Sequence, residues 1–110
     1  MFDFTGKIVV VTGGARGIGK CIREQFEKAG ATVCVIDLLE NDYFVGDISD
    51  KKTLEIFADK VIKEFGHVDC LIHNAPPKFC GITEADYEDF EYALKVGVTA
   101  PFYLTKLFLP

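Results

Sequence analysis

No apolar run in this sequence approaches the roughly 18 to 20 residues needed to cross a bilayer, so no membrane-spanning helix is expected. Basic charge is also scarce and dispersed: 12 Lys and Arg stand against 17 Asp and Glu, for a net charge of −5. A nucleic-acid or anionic-membrane surface needs a concentrated basic patch, and neither partner is expected here. No Cys-x-x-Cys pair occurs. The four cysteines, Cys21, Cys34, Cys70 and Cys80, stand apart, and three of them lie within apolar runs. They read as small buried hydrophobes that suit a reducing compartment. His67 and His73 are too few, and too separated from plausible carboxylate ligands, to suggest a metal site. Met1-Phe2-Asp3-Phe4 lacks the basic and apolar segments of a secretory leader, so a cytosolic chain is expected.

What is present is enough to fold. Of the 110 residues, 49% are hydrophobic and ten are Phe, which argues for a packed core rather than disorder. Without repeats, low-complexity stretches or linkers, residues 1–110 are expected to form one domain. Strand-like runs alternate with helix-periodic segments. Lys7 to Thr12 is a continuous β-branched run, as a strand buried on both faces of a parallel sheet requires. Ala31 to Ile36 is a second such run, Tyr43 to Val45 a short third, and Val68 to His73 a fourth.

Between the runs, Ile18, Ile22, Phe26 and Ala29 recur at helical spacing, with Gly30 as a stop. Leu54, Phe57, Val61 and Phe65 form the stripe of a second helix, capped by Ser49 or Asp50 and closed by Gly66. Thr83-Glu84-Ala85-Asp86 resembles a capping box, so a helix is expected from Thr83 onward, interrupted near Pro101. Alternation of this kind implies an α/β fold: a parallel sheet with helices on both faces.

The informative segment is Thr12-Gly13-Gly14-Ala15-Arg16-Gly17-Ile18-Gly19, which follows the first strand and opens the first helix. Unpaired N–H groups and the dipole at a helix start favour an anionic phosphate. Glycines there let a pyrophosphate approach without a Cβ in the way, and Gly19 would let the helix pack close to the sheet. Asp37 ends the second strand 18 residues beyond Gly19, near the spacing of a ribose-binding acid. A carboxylate there can accept hydrogen bonds from both ribose hydroxyls of NAD and would repel the 2′-phosphate of NADP. Leu38 and Leu39 offer no adjacent cation, although Arg16 in the turn could reach a phosphate or pair with Asp37. NAD is therefore expected in preference to NADP.

With the turn and Asp37 in place, the chain resembles the short-chain dehydrogenase/reductase family from about Gly6 to Pro110. The most specific carrier is the Thr-Gly-x-x-x-Gly-x-Gly spacing at Thr12 to Gly19. The resemblance implies a Rossmann-like sheet of about four parallel strands in the order 3-2-1-4. It makes Asp47, in Gly46-Asp47-Ile48, the acid that approaches the adenine. In His73-Asn74-Ala75-Pro76, Asn74 matches the family residue that braces the sheet, and Ala75 would lie near the nicotinamide-side ribose. His73 and Pro76 stand where the family usually has Asn and Gly, and His73 reads more readily as structural than as catalytic. The expected cofactor-binding set is Gly13, Arg16, Gly17, Ile18 and Gly19 in the turn, Asp37, then Asp47 and Ile48, then Asn74 and Ala75.

The resemblance also shows what is missing. In the family a Ser and a Tyr-x-x-x-Lys carry the proton chemistry, and an Asn at the position of Gly97 supports a proton relay. None of Tyr43, Tyr87, Tyr92 and Tyr103 is followed by Lys four residues on. The expectation is a cofactor-binding portion of an oxidoreductase that moves a hydride between nicotinamide and an alcohol or ketone, with no catalytic residue of its own. The competing expectation is a non-enzymatic NAD-binding or sensing module; a flavodoxin-like domain whose turn binds nothing ranks last. Without a neighbouring fifth strand, Val68 to His73 would be an apolar edge, and the helix bearing Phe102, Leu104, Leu107, Phe108 and Leu109 would lack cover. A homo-oligomer is expected from that edge or that helix.

Overall fold

A five-residue run buried along its whole length organises the chain. Ile8–Thr12 (β1) is one of the two interior strands of a four-stranded parallel sheet in a computed structural model, which describes residues 2–77 and 80–110. Met1, the first residue of the N-terminal stretch, lies outside them. The sheet order is β3-β2-β1-β4, with Thr32–Asp37 as β2, Phe44–Val45 as β3 and Cys70–Ile72 as β4. Register is set by Ile8 opposite Thr32, Val9 opposite Cys70 and Ile36 opposite Phe44. This is the expected Rossmann-like order.

Alternation along the strands divides the core into two layers. Ile8, Val10, Cys34 and Ile36 point to one face, against Leu54, Phe57 and Val61 of Lys51–Phe65 (α2) and Ala100 and Leu104 of Ala100–Phe108 (α4). Val9, Val11 and Val35 alternate to the opposite face, where Gly17–Lys28 (α1) lies against β1 and β2. Cys34 is fully buried, and that burial pushes its thiol up to about 11, so it stays a neutral apolar filler. Tyr43 closes the α2 side: its hydroxyl donates to Glu64 at 2.7 Å, and the Lys60 ammonium lies 4.0 Å from its ring centroid. All four cysteines are free, but only Cys34 is buried: Cys70 is half-buried and Cys21 and Cys80 are exposed, so the reading as buried hydrophobes holds for Cys34 alone.

Helix ends follow local chemistry with one correction. Asp50 caps α2, accepting from the Thr53 amide at 3.0 Å and from its hydroxyl at 2.7 Å, and the hydroxyl contact leads in holding its carboxyl below the usual range. The helix expected from Thr83 begins instead at Tyr87, as Tyr87–Leu94 (α3). Asp86 is its N-cap and Asp89 accepts from the Asp86 amide at 2.9 Å, so the working box sits three residues later than Thr83 to Asp86. Asp can fill the third position here because its short side chain still reaches the cap amide.

The interruption expected near Pro101 is a wider turn just ahead of it. Lys95–Thr99 forms a wider turn in which the Ala100 amide bonds the Lys95 carbonyl, five residues back. That bulge precedes Pro101 at the start of α4, where its missing N–H and its ring are tolerated. No helix among the described residues is long and apolar enough to cross a membrane. His67 does meet a carboxylate, Asp69 at 3.0 Å, but no group of three or more metal-ligating residues occurs among the described residues.

Candidate functional site

The chain runs outward from β1 to β2 to β3, then returns to place β4 on the other side of β1. Connections after β1 and β4 therefore diverge, opening a crevice at the strands' C-terminal ends, where open α/β sheets bind ligands. A cleft of about 380 Å³ lies there. Its walls include all five turn residues singled out from the sequence (Gly13, Arg16, Gly17, Ile18 and Gly19), together with Asp37, Asp47, Ile48, Asn74 and Ala75. Residues drawn from four separate connections thus share one cavity.

Thr12 holds the two sides of the crevice together. It is 2% exposed, a buried polar residue at the end of an apolar strand, and its Oγ1 accepts from the amides of Asn74 at 3.0 Å and Ala75 at 3.1 Å. Asn74 returns the tie by donating its side-chain amide to the Gly13 carbonyl at 3.1 Å. Gly13, at φ +71, lies so close to this loop that a Cβ would come within 2.9 Å of Ala75 Cα. The loop after β4 and the glycine turn are one assembly.

The N-terminus of α1 opens onto the cleft without a cap. Arg16 occupies the N-cap position in extended conformation, no side chain accepts from the first turn, and no acidic residue lies in it. Its leading amides and positive dipole end are therefore free to meet an anion, unlike those of α2, which Asp50 takes up. Arg16 is exposed and forms no ion pair with Asp37 among the described residues. The pairing considered from the sequence is replaced by backbone contacts: Asp37 Oδ2 accepts from the Ala15 amide and Oδ1 from the Leu39 amide, each at 2.9 Å. These bonds fix the carboxylate over the turn and leave each oxygen further acceptor capacity.

Asp47, after β3, is held by the Ser49 amide at 2.9 Å and the Tyr92 hydroxyl at 3.1 Å, both on Oδ1. Tyr92 comes from α3 and lines the cleft. Nothing in its sequence neighbourhood marks it, because the contact spans 45 residues. The role of Thr12 had a signal: a hydroxyl ending a buried β-branched run needs a partner.

His73 turns away from the cleft. Its Nε2 lies 3.1 Å from Thr105 Oγ1, and Thr105 spends its own hydrogen on the Pro101 carbonyl at 2.7 Å, so Nε2 is the donor. Burial lowers the imidazole pKa, favouring the neutral ring, and the residue acts as a strand-to-helix tie. Gly97 sits in the wide turn, where a Cβ would meet nothing within 4 Å. Neither supplies an acid or base to the cleft.

A family model for short chain dehydrogenases matches residues 7–110. The chain belongs to the short-chain dehydrogenase family. L-fucose dehydrogenase of Mus musculus is 34% identical over 97% of this chain, which covers 44% of that protein. Two solved short-chain oxidoreductase structures are similar. A short-chain dehydrogenase/reductase from Brucella melitensis of glucose/ribitol dehydrogenase type superposes with a TM-score of 0.90 at 25% identity, over 99% of this chain and 53% of the other. An apo SCOR enzyme from Clostridium thermocellum gives 0.82 at 36% identity, over 94% of this chain and 47% of the other. The chain spans just under half the length of the L-fucose dehydrogenases of Mus musculus, Rattus norvegicus and Bos taurus to which it is similar, at 44–45% of each.

Proposed function

We propose that the cleft binds NAD and that these residues are the cofactor-holding portion of a short-chain oxidoreductase. The observation that carries this is Asp37: its carboxylate is clamped by two backbone amides beside the uncapped start of α1, in one cleft. A pyrophosphate suits the free amides of Gly17, Ile18 and Gly19, where no side chain competes. Asp37 would accept from the adenosine ribose hydroxyls, with Asp47 and Ile48 flanking the base. Asn74 and Ala75 would bound the nicotinamide-side ribose. When bound, the cofactor would accept or give the hydride exchanged with an alcohol or ketone. The residues present position it and shield it; none of the tyrosines has the Lys four positions on that the family's proton transfer uses, so we assign no catalytic residue and no turnover to this chain alone.

Pro76 and Gly97 favour a second reading, a non-enzymatic NAD-binding or sensing module. Pro76 removes an amide from the cleft wall, and Gly97 offers no side chain for a relay. Both readings share the NAD site, and only a form carrying Tyr-x-x-x-Lys would separate them, by its activity on simple alcohols.

The test is a fluorescence titration with NADH and NADPH on this chain and on Asp37→Ala. We expect saturable NADH binding, NADPH weaker by about tenfold, and loss of that preference in the variant. Removing the acid leaves Arg16 as the charge nearest a 2′-phosphate, so NADPH should gain as NADH weakens. A folded chain that binds neither dinucleotide would overturn the proposal.

The same fold suggests a homo-oligomer. β4 is an edge strand, and Tyr87, Phe90, Leu94, Val98, Phe102 and Leu109 are exposed along the α3–α4 helix. Light scattering across a concentration series should show mass rising above that of one chain; a constant single-chain mass would refute this. Four free thiols suit a reducing compartment, and we assign the chain to the cytosol.

A further inference from the structure

We infer that Tyr92 is a positioning residue for the adenine end of the cleft, its hydroxyl setting the orientation of the Asp47 carboxylate. The inference rests on the dinucleotide proposal and goes beyond it, because Tyr92 comes from α3, an element outside the strand-to-helix connections that build the rest of the site.

The geometry is specific. A carboxylate held only by the amide two residues on, as in the Ser49 to Asp47 contact of 2.9 Å, can pivot about its side-chain torsions. Tyr92 adds a second donor to the same Oδ1 atom at 3.1 Å, from a helix 45 residues away. Two donors on one oxygen set the carboxylate plane. Oδ2 has no hydrogen-bond partner among the described residues, so it is the acceptor left open. Such an oxygen selects a ring edge that presents a donor, as an exocyclic amino group does. It disfavours one that presents a carbonyl.

Tyr92 is suited to the task. Its ring packs against the core cluster, so packing holds the hydroxyl in place. Burial, and then the bond to Asp47, raises the phenol pKa, so the group remains a donor through the neutral range. The contact also ties α3 across the cleft to the turn between β3 and α2, which would keep the adenine end closed.

The experiment compares NADH with reduced nicotinamide hypoxanthine dinucleotide, which carries a carbonyl in place of the adenine amino group. Both are titrated into the chain and into Tyr92→Phe, Asp47→Ala and the double variant, with melting temperatures recorded. The unsubstituted chain should prefer NADH by about tenfold, and Tyr92→Phe should reduce that preference to about threefold or less. In the Asp47→Ala background, Tyr92→Phe should change the ratio no further, because the hydroxyl acts through Asp47. A ring serving only as packing would shift the melting temperature or both affinities equally, leaving the ratio intact. An unchanged ratio in Tyr92→Phe overturns the inference while leaving the NAD proposal standing. Failure of the unsubstituted chain to bind either dinucleotide overturns both. Should Tyr92→Phe not fold, Tyr92→Met takes its place: an unchanged NADH preference in that variant overturns the inference, and a reduced one supports it.

Discussion

Phe57→Ala should lower the melting temperature of the chain by on the order of 15–30 °C, the largest stability loss expected from a single side chain here. Phe57 is completely buried in the middle of α2, facing the sheet. Its ring meets Phe44 edge-on with centroids 5.3 Å apart, Tyr43 at 6.1 Å and Phe108 at 6.2 Å. One side chain therefore joins α2, the β3 edge of the sheet and the end of α4. Truncating such a residue costs about 3–5 kcal/mol through lost burial and a cavity, and each aromatic contact adds about 0.5–1.5 kcal/mol beyond burial. A domain of this size has only about 5–15 kcal/mol of stability in total, so about a fifth or more is removed. Thermal unfolding followed by circular dichroism measures this directly. A fall of less than about 5 °C would mean that the aromatic cluster repacks around the gap.

Gly19→Ala should cost about 1–3 kcal/mol and, on the NAD proposal, weaken NADH binding by at least about tenfold. A Cβ at Gly19 would press into the Gly13 carbonyl and the Asn74 side-chain amide, the two partners of the bond that locks the glycine turn to the loop after β4. Backbone cannot swing away as a flexible side chain can, so α1 must shift outward, carrying its free amides with it. Gly97→Ala is the contrasting case. A Cβ there meets nothing within 4 Å, and alanine is preferred over glycine in a helix by about 1 kcal/mol, so that change should be neutral or stabilising. Paired melts and NADH titrations of the two variants check both effects. Equal behaviour of the two would show that close packing at Gly19 is not what shapes the site.

The sheet was legible because its signals are local. Each of the first two β-branched runs lies within a residue of an observed strand, Ile8–Thr12 and Thr32–Asp37, since both are buried strands. The third run likewise exceeds its strand by a single residue, and the fourth overreaches at both ends. Only Phe44–Val45 and Cys70–Ile72 pair, because an edge strand forms ladder bonds only where its single neighbour reaches. The start of α3 was misplaced for a related reason. Thr83 and Asp86 both head plausible boxes, and the choice between them depends on where the preceding loop delivers the chain.

Hydrophobic period, glycine spacing and the acid ending β2 are properties of neighbouring residues, and they determined the α/β architecture and the cleft residues Gly13, Arg16, Gly17, Ile18, Gly19 and Asp37; Asp47, Ile48, Asn74 and Ala75 were marked by the family resemblance. Tertiary structure decided what those residues touch. It gave Asp37 two backbone amides in place of Arg16, turned His73 toward Thr105 and out of the cleft, and brought Tyr92 across to Asp47. Local patterns follow from backbone geometry repeated every two or 3.6 residues. Contacts between residues 22 to 45 positions apart, such as Ala15 with Asp37 and Asp47 with Tyr92, exist only once the sheet has brought the strand ends together.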